Sequence, residues 1–346
     1  MRASPVVVGF SLILLGAGCQ RKPAETVEPA KLKLFQPLPA VAAGPAGPPS
    51  EELVALGRML YYDPRLSKSQ KISCNSCHDL SRYGVDNEPT SDGHKGQKGD
   101  RNSPTVYNAA LQFAQFWDGR AADVEEQAKG PVLNPLEMAM PSDKLVVAVL
   151  KSMPDYVEAF RRAFPNQKDP VTMDNVARAI GAFERRLITP ARWDKFLAGD
   201  QQALTREEKA GLNVYLEAGC QVCHSGALLG GDMFQKLGVM KPYPDQSDPG
   251  RFRVTKREAD RMVFKVPSLR NVEKTAPYFH NGKVATLEQA VAQMADYQLG
   301  KTLSRKETEA IVAFLKSLTG EIPAGYIQAP QLPKSTSRTP PPDLSD

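Results

Sequence analysis

Two Cys-x-x-Cys-His segments constrain this chain more than any other feature of its sequence. They occupy 74–78 and 220–224, in a chain of 346 residues that contains only five cysteines and four histidines. Random placement of so few residues predicts on the order of 10⁻³ such segments. Two copies therefore indicate one shared chemical purpose.

The spacing within each segment brings three ligating groups together. On a turn of helix, residues i, i+3 and i+4 share a face, so two sulfurs and one imidazole address the same flat ligand. This is the arrangement of a covalent c-type haem, with two thioethers and a proximal histidine on iron. The predicted attachment residues are Cys74, Cys77 and His78 for one haem, and Cys220, Cys223 and His224 for the other.

Paired cysteines have two other uses besides haem attachment. A dithiol redox site needs no adjacent histidine and is expected near a βαβ pattern, which this sequence lacks. A four-cysteine zinc site is the second alternative. It is less favoured because both pairs carry a histidine and because the amino terminus predicts export.

Residues 1–19 predict an export signal of the lipoprotein type. Arg2 precedes an uncharged stretch whose apolar centre, 6–15, is short for a membrane span but fits a signal h-region. Small residues then lead to Cys19, which resembles the acylated cysteine of bacterial lipoproteins, although Leu15 stands one position earlier than usual. We expect a periplasmic protein with a lipid anchor at Cys19. A cleaved signal with an incidental cysteine is the alternative.

The remaining composition sets the domain organisation. Proline and alanine dominate 20–49, which predicts a tether. We then expect a domain at 50–190, a second at 191–324, and a loose tail at 325–346. With 44 basic and 39 acidic residues and no long run of one charge, nucleic-acid binding is not expected.

Apolar periodicity predicts a mainly α protein with long loops. The stretch 79–108 and the stretch 225–270 are far longer than ordinary connections, which is typical of a chain that wraps a large bound group. Arg251–Thr255 is expected to pair as a minor strand. Helices are predicted after Ser50 up to Asp63, and over Asp143–Lys151, Pro154–Phe164, Thr172–Leu187, Thr205–Ala218, Thr286–Gln298 and Ser304–Leu318.

Function depends on the axial position of each iron that the proximal histidine leaves free. His94 lies between Gly93 and Gly96, in a loop that is able to move a ligand on or off iron. A surface histidine is the plainer alternative. His280 and Met294 are both candidates at the second haem, where methionine would raise the iron potential.

Seven segments together carry a family resemblance over most of residues 50–320. They are 56–63 (LGRMLYYD), 73–78 (SCNSCH), 101–105 (RNSPT), 115–120 (QFWDGR), 130–138 (GPVLNPLEM), 219–224 (GCQVCH) and 275–282 (TAPYFHNG). In these segments the chain resembles the bacterial di-haem cytochrome c peroxidases. The resemblance implies two cytochrome-c-like helical domains, each with one covalent haem, and a calcium ion near their interface.

The resemblance also implies a role for each matching residue. His78 and His94 would be the proximal and displaceable distal ligands of an amino-terminal peroxidatic haem, while His224 and Met294 would ligate a high-potential haem. Calcium would take oxygens from Asn102, Thr275 and Pro277, which is chemically apt. Gln127 and Glu137 match the distal pocket, and Trp117 matches a tryptophan between the haems.

The implied activity is reduction of hydrogen peroxide to water. Electrons would come from a small redox protein, either a cytochrome c or a cupredoxin, and a homodimer is expected by analogy. Glu137 is suited to act as base and then acid, although a helix-end carboxylate is the plainer interpretation, as an interface aromatic is for Trp117.

Two other functions stay open. One is oxidation of a partner protein, as in the enzyme that matures methylamine dehydrogenase, whose relatives carry tyrosine at the position of Met294 and lack a match for His94. The other is a non-catalytic di-haem electron carrier.

Overall fold

The computed structural model describes residues 26–44 and 47–345. The predicted export signal and Cys19 lie outside this range. Among the described residues, no helix has the length and apolar character needed to cross a membrane.

The described chain is mainly helical, as the sequence predicts. Each of the seven predicted helices is confirmed to within a few residues at its ends. The helices are α1 Pro29–Leu32, α2 Glu51–Tyr62, α3 Cys74–Cys77, α4 Val124–Leu133, α5 Asp143–Lys151, α6 Pro154–Ala163, α7 Met173–Glu184, α8 Arg192–Leu197, α9 Arg206–Ala218, α10 Phe252–Thr255, α11 Leu287–Leu299 and α12 Arg305–Lys316.

Minor strands are present, as predicted, but Arg251–Thr255 is not one of them. Residues 252–255 form the single helical turn α10, because Gly250 and Lys256 on either side adopt positive φ and close the turn. The strands are β1 (Phe234–Lys236) and β2 (Val263–Lys265), which pair antiparallel with Phe234 opposite Lys265. Nothing in their three-residue sequences distinguishes them from loop.

Buried apolar side chains form two large clusters that divide near residue 190. The first runs from Val54 to Leu187, and the second comprises Phe35 and residues 191–318. Each cluster is organised by one pair of crossing helices, α2 with α7 and α9 with α12.

Glycine permits both helix crossings. A Cβ atom at Gly57 would lie 1.8 Å from the carbonyl oxygen of Ala179, and one at Gly211 would lie 1.9 Å from that of Ala310. No other residue fits at such a distance. One turn later, the hydroxyls of Tyr61 and Tyr215 reach towards the two Cys-x-x-Cys-His segments.

Residues 102–121 and 265–284 repeat one another with a constant offset in numbering. Backbone conformation follows the repeat, since φ is 60° at Asn108 and 61° at Asn271, and 65° at Phe116 and 68° at Phe279. The identical pairs are Pro104 with Pro267, Asn108 with Asn271, Phe116 with Phe279, and Gly119 with Gly282. The two halves therefore share a segment of the same backbone conformation.

Thr189 ties the two halves together at the point where the chain passes from one to the other. Its side chain is fully buried, and its hydroxyl accepts from the amides of Asn108 (2.8 Å) and Asn271 (2.9 Å). The matching asparagines of the repeat thus share one partner.

The segments at both ends of the described chain are packed rather than loose. In the predicted tether, Phe35 is 5% exposed and lies edge-on to Trp193. The carboxyl tail returns over the first half, where Arg65 donates to the carbonyl of Pro333 (2.8 Å) and Gln70 donates to that of Pro340 (2.8 Å). The prediction of a loose tail is therefore wrong, because proline removes a donor but leaves its carbonyl free to accept.

Replacing Gly57 or Gly211 with alanine should lower the free energy of unfolding by about 1–3 kcal/mol, the usual cost of overpacking. The new methyl group would force α2 away from α7, or α9 away from α12. Thermal unfolding followed by circular dichroism measures the effect. Gly99→Ala is the control, since its added Cβ would meet only atoms at 3.9 Å. Equal melting temperatures for all three variants would contradict the close crossing.

Candidate haem sites and the wall between them

The first Cys-x-x-Cys-His segment opens onto a cavity of about 410 Å³. Cys74 and Cys77 lie on the short helix α3, which Ser73 and Ser76 cap by reciprocal hydrogen bonds. The hydroxyl of Tyr61 donates to the carbonyl of His78 (2.7 Å) and fixes the end of this turn. The cavity wall contains, among others, Cys74, Cys77, His78, Gln127, Glu137, Trp117, Asn102, Glu184 and Lys265.

The second segment opens onto a separate cavity of about 250 Å³. Gly219 ends α9 in the left-handed conformation and turns the chain into Cys220. The hydroxyl of Tyr215 donates to the carbonyl of His224 (2.5 Å), as Tyr61 does in the first half. The lining includes Cys220, Cys223, His224, Met294, Trp117, His280, Asn102, Thr275, Pro277 and Lys265.

The histidines of both segments are suited to bind iron. Burial lowers the pKa of His78 and of His224, which keeps each imidazole neutral. Nδ1 of His224 lies 3.0 Å from the carbonyl oxygen of Leu229 and must donate to it, which leaves the Nε2 lone pair for a metal. Nδ1 of His78 is buried and has no hydrogen-bond partner among the described residues.

The cysteines are available for thioether bonds. All four of the paired cysteines are free of disulfides. Burial raises the pKa of Cys77 to about 11 and that of Cys220 to about 11, so both are held as thiols rather than thiolates. The residues of both cavities therefore fit covalent c-type haem.

One wall separates the two cavities and contributes to both. Two backbone hydrogen bonds cross between the repeats in this wall. Asn102 N–H donates to the carbonyl of His280 (2.8 Å), and Lys265 N–H donates to that of Trp117 (2.7 Å). The two bonds are equivalents of one another under the repeat. They place the wall residues with main chain, independently of side-chain rotamers.

Trp117 and His280 occupy equivalent positions in this wall. Their ring centroids are 6.4 Å apart, and the indole N–H donates to the carbonyl of Asn102 (2.9 Å). His280 stacks on Phe264, with ring centroids 4.3 Å apart, and burial lowers its pKa to about 4. His280 is therefore a neutral aromatic partner of Trp117 rather than a charged group.

The three predicted calcium residues share one cavity, the second. Asn102, Thr275 and Pro277 all line it. The Asn102 amide nitrogen donates to the carbonyl of Glu88 (2.9 Å), while its Oδ1 accepts no hydrogen bond from the described residues. That oxygen is free to ligate a cation. No cluster of three or more acidic, histidine or cysteine side chains that could hold a metal occurs in residues 26–44 and 47–345.

Gln127 and Glu137 reach the first cavity from α4 and the loop after it. Pro131 lies inside this helix, which explains why its periodicity was not recognisable in the sequence. Burial raises the pKa of Glu137, against the opposing effects of Arg120 and of Asn134, whose amide donates to Oε1 (2.9 Å). The carboxyl group is thus partly desolvated and held in one orientation.

His94 is the one predicted site residue that the structure places outside both cavities. It is 3% exposed, and its backbone N–H donates to the carbonyl of Glu137 (2.7 Å). Its Nε2 lies 3.3 Å from the carbonyl oxygen of Ser345 in the carboxyl tail. Lys95 and Gly96, both at positive φ, connect it to the loop.

Among the cavity-wall residues that were not identified from the sequence, Lys265 and Glu184 are both buried and ionisable. Lys265 lines both cavities, and Glu184 at the end of α7 lines the first. The available signal was the repeat, which pairs Lys265 with Asn102. Glu184 carries no such signal, because a charged residue at a helix end normally faces solvent.

Comparisons with known proteins identify the family. Residues 51–202 match the family model described as di-haem cytochrome c peroxidase. Cytochrome c551 peroxidase of Pseudomonas aeruginosa is 49% identical over 316 residues, which cover 89% of this chain and 90% of that protein. Its counterpart in Nitrosomonas europaea is 50% identical over 308 residues, covering 88% and 89%. This chain belongs to the di-haem cytochrome c peroxidase family.

Other members of the wider group are more distant. The methylamine utilization protein MauG of Methylorubrum extorquens is 33% identical over 355 residues, covering 95% of this chain and 98% of that protein. The crystal structure of a MauG-like protein associated with microbial copper homeostasis superimposes with a TM-score of 0.73 at 30% identity, covering 85% and 97%. The peroxidase resemblance predicted from the sequence is confirmed.

Glu184→Gln should weaken the loss of stability that accumulates as pH rises from about 4.5 to 8. Burial, reinforced by Glu125, raises the pKa of Glu184 to about 8, so the folded state keeps a proton that the unfolded state releases near the ordinary glutamate value of 4.5. The contribution of this group is therefore lost as pH rises through 8. Between pH 5 and 9, the melting temperature of Glu184→Gln should fall less than that of the unsubstituted protein. The control is exposed Glu158→Gln, and a constant difference between Glu184→Gln and the unsubstituted protein would contradict a protonated Glu184.

Proposed function

We infer that this protein is a cytochrome c peroxidase, which reduces hydrogen peroxide to water with electrons from a small redox protein. The observation that carries this inference is the asymmetry of two otherwise similar cavities. The first contains Glu137 and Gln127, which are suited to proton transfer, and the second contains Met294, which is suited to an electron-transfer iron. The relatives at 49% and 50% identity are named as cytochrome c551 peroxidases.

Two covalent haems are the cofactors of this proposal. The first would be held by Cys74, Cys77 and His78, and the second by Cys220, Cys223 and His224 with Met294. When bound, the first haem supplies an iron on which peroxide can be reduced, and the second supplies an electron. The remaining steps concern the side chains around these groups.

Glu137 is the proposed proton-transfer residue. Reduction of peroxide requires a base for the proton on one oxygen and an acid for the oxygen that leaves as water, and one carboxyl group can do both. Its pKa is raised by burial, which brings it closer to neutral pH where both directions of transfer are efficient. Gln127 lines the same cavity and would orient the oxygens through its amide.

Trp117 is the proposed contact between the two haem sites. It lines both cavities, its carbonyl accepts from the Lys265 N–H of the other repeat, and its indole N–H donates to the carbonyl of Asn102 in its own repeat. An aromatic group held in this way keeps a constant distance to each site. Electron transfer benefits from that constancy.

Calcium is proposed to bind between Asn102 Oδ1 and the carbonyls of Thr275 and Pro277. The oxygen-only set suits this hard cation. Because Asn102 also bonds to His280 and Trp117, the ion would stiffen the wall. A periplasmic location, a cytochrome c or cupredoxin donor, a lipid anchor at Cys19 and a homodimer complete the proposal.

His94 is proposed as the displaceable ligand of the first iron. The preceding residue, Gly93, lines the first cavity, whereas His94 itself does not. In the structure His94 lies under the carboxyl tail, with Nε2 3.3 Å from the carbonyl oxygen of Ser345, so a ligand role would require its loop to move. Rotation about the backbone at Lys95 and Gly96 would return the imidazole.

The residues of the second cavity disfavour the alternative function, which is oxidation of a partner protein as in the maturation of methylamine dehydrogenase. Of the described residues on the end of α11, Met294 lines that cavity and Tyr297 does not. Tyr297 instead packs edge-on against Tyr243, with ring centroids 5.3 Å apart. A tyrosine ligand would require this helix to rotate.

Glu137→Gln should lower peroxide turnover by about 10²–10⁴-fold, the usual contribution of a general acid–base group. Glutamine keeps the acceptor for Asn134 but cannot carry the proton. Steady-state oxidation of reduced cytochrome c by hydrogen peroxide measures the loss. Glu126→Gln, an exposed change on α4, is the control, and full activity of Glu137→Gln at unchanged haem content would assign the proton to another group.

His94→Gly should leave the first haem of the oxidised protein without its sixth ligand. The optical spectrum should then show a high-spin component before any reduction, and peroxide should react without an electron being supplied first. Lys95→Ala, which keeps the imidazole, is the matched control. A low-spin spectrum identical to that of the unsubstituted protein would show that His94 is no ligand.

A further inference from the structure

Lys265 is a buried cation without an anionic partner. Three basic side chains are less than 9% exposed in the described chain, namely Arg185, Arg270 and Lys265. Arg185 is paired with Glu125 (2.8 Å) and Arg270 with Asp194 (2.7 Å). Lys265, at 6% exposure, donates only to the amide oxygen of Gln112 and contacts no carboxylate of the described residues.

Such an arrangement is costly unless a carboxylate arrives from elsewhere. A buried ammonium loses its hydration, and a neutral amide oxygen replaces only part of it. Burial accordingly lowers the pKa of Lys265 to about 7, with no neighbouring charge to oppose the shift. The backbone cannot relieve the cost, because Lys265 N–H is bonded to Trp117 and the residue is fixed in β2.

The position of Lys265 shows where the missing anion would come from. It lines both cavities, each of which is also lined by the two cysteines of one Cys-x-x-Cys-His segment. A c-type haem is attached through thioethers at one edge and carries two propionate carboxylates at the opposite edge. Carboxylates entering either cavity with the haem would therefore be directed away from the cysteines.

The internal repeat points to the same role. Lys265 is the equivalent of Asn102, and its partner Gln112 is the equivalent of Thr275. Asn102 and Thr275 are two of the three proposed calcium ligands. In one half the wall thus offers oxygens that attract a metal cation, and in the other half an ammonium group and an amide occupy the equivalent place.

We propose that Lys265 is the propionate-binding residue of the haem wall, where its ammonium group pairs with a haem carboxylate and so raises the reduction potential of the iron. The inference rests on the proposed function in one respect only, that haem occupies the cavities. Removal of a positive charge near an iron favours the oxidised state, since that state carries one more positive charge.

The test is a spectroelectrochemical titration of both haems in the holoenzyme. Lys265→Met should lower the midpoint potential of at least one haem. We expect the ratio of oxidised to reduced iron at a fixed potential to rise tenfold, which corresponds to a shift of 59 mV for one electron. Lys265→Arg, which keeps the charge, should stay close to the unsubstituted protein. Lys236→Met, on the exposed end of β1, is the control for loss of a surface lysine.

Unchanged potentials of both haems in Lys265→Met would overturn the proposal. If that variant fails to assemble, haem content decides. Full haem content in Lys265→Arg would then support a need for the positive charge. Loss of haem from both variants would overturn the proposal. Because potentials are measured without peroxide or donor, a holoenzyme that does not oxidise cytochrome c would contradict the peroxidase function while leaving this result intact.

Discussion

The exchange of two backbone hydrogen bonds between the repeats is the interaction on which the rest of the site depends. The N–H of Asn102 donates to the carbonyl of His280, and the N–H of Lys265 donates to the carbonyl of Trp117. Each repeat therefore supplies one donor and one acceptor to the shared wall. Backbone bonds of this kind survive changes of side chain. They allow the two cavities to diverge in chemistry while they keep one spacing, which is what electron transfer between two sites requires.

Divergence is visible in how each half uses the positions that the repeat makes equivalent. Trp117 corresponds to His280, and Asn102 corresponds to Lys265. The conserved geometry belongs to residues with unusual backbone angles, such as Phe116 and Phe279, whose positive φ would be strained in an ordinary loop. Shape is thus maintained by the backbone, and chemical function is assigned by the side chains between these points.

The helices and the haem segments were predictable from the sequence because their signals are local. Capping residues such as Thr205 and Ser304 mark helix starts within four residues, and each Cys-x-x-Cys-His segment is complete in five. The cavity assignments of Glu137, Gln127 and Met294 came from the family resemblance, and the structure brings each to the expected cavity. Their roles in catalysis stay predictions.

What the sequence did not predict depends on contacts between distant residues. Helix α4 contains Pro131, and its stability comes from packing on α7 rather than from a regular apolar stripe. The tail was expected to be loose because three prolines adjoin, but the carbonyl of Pro340 accepts from Gln70 and that of Pro333 accepts from Arg65.

Burial of ionisable groups is the most informative of these long-range effects. Glu184 and Lys265 are ordinary charged residues in sequence, and each becomes unusual only because another part of the chain covers it. Burial shifts the pKa of both towards the neutral form, upwards for the acid and downwards for the base. The same burial makes both groups sensitive to any charge that enters the cavity, so the carboxylates of a bound haem would favour the ammonium form of Lys265.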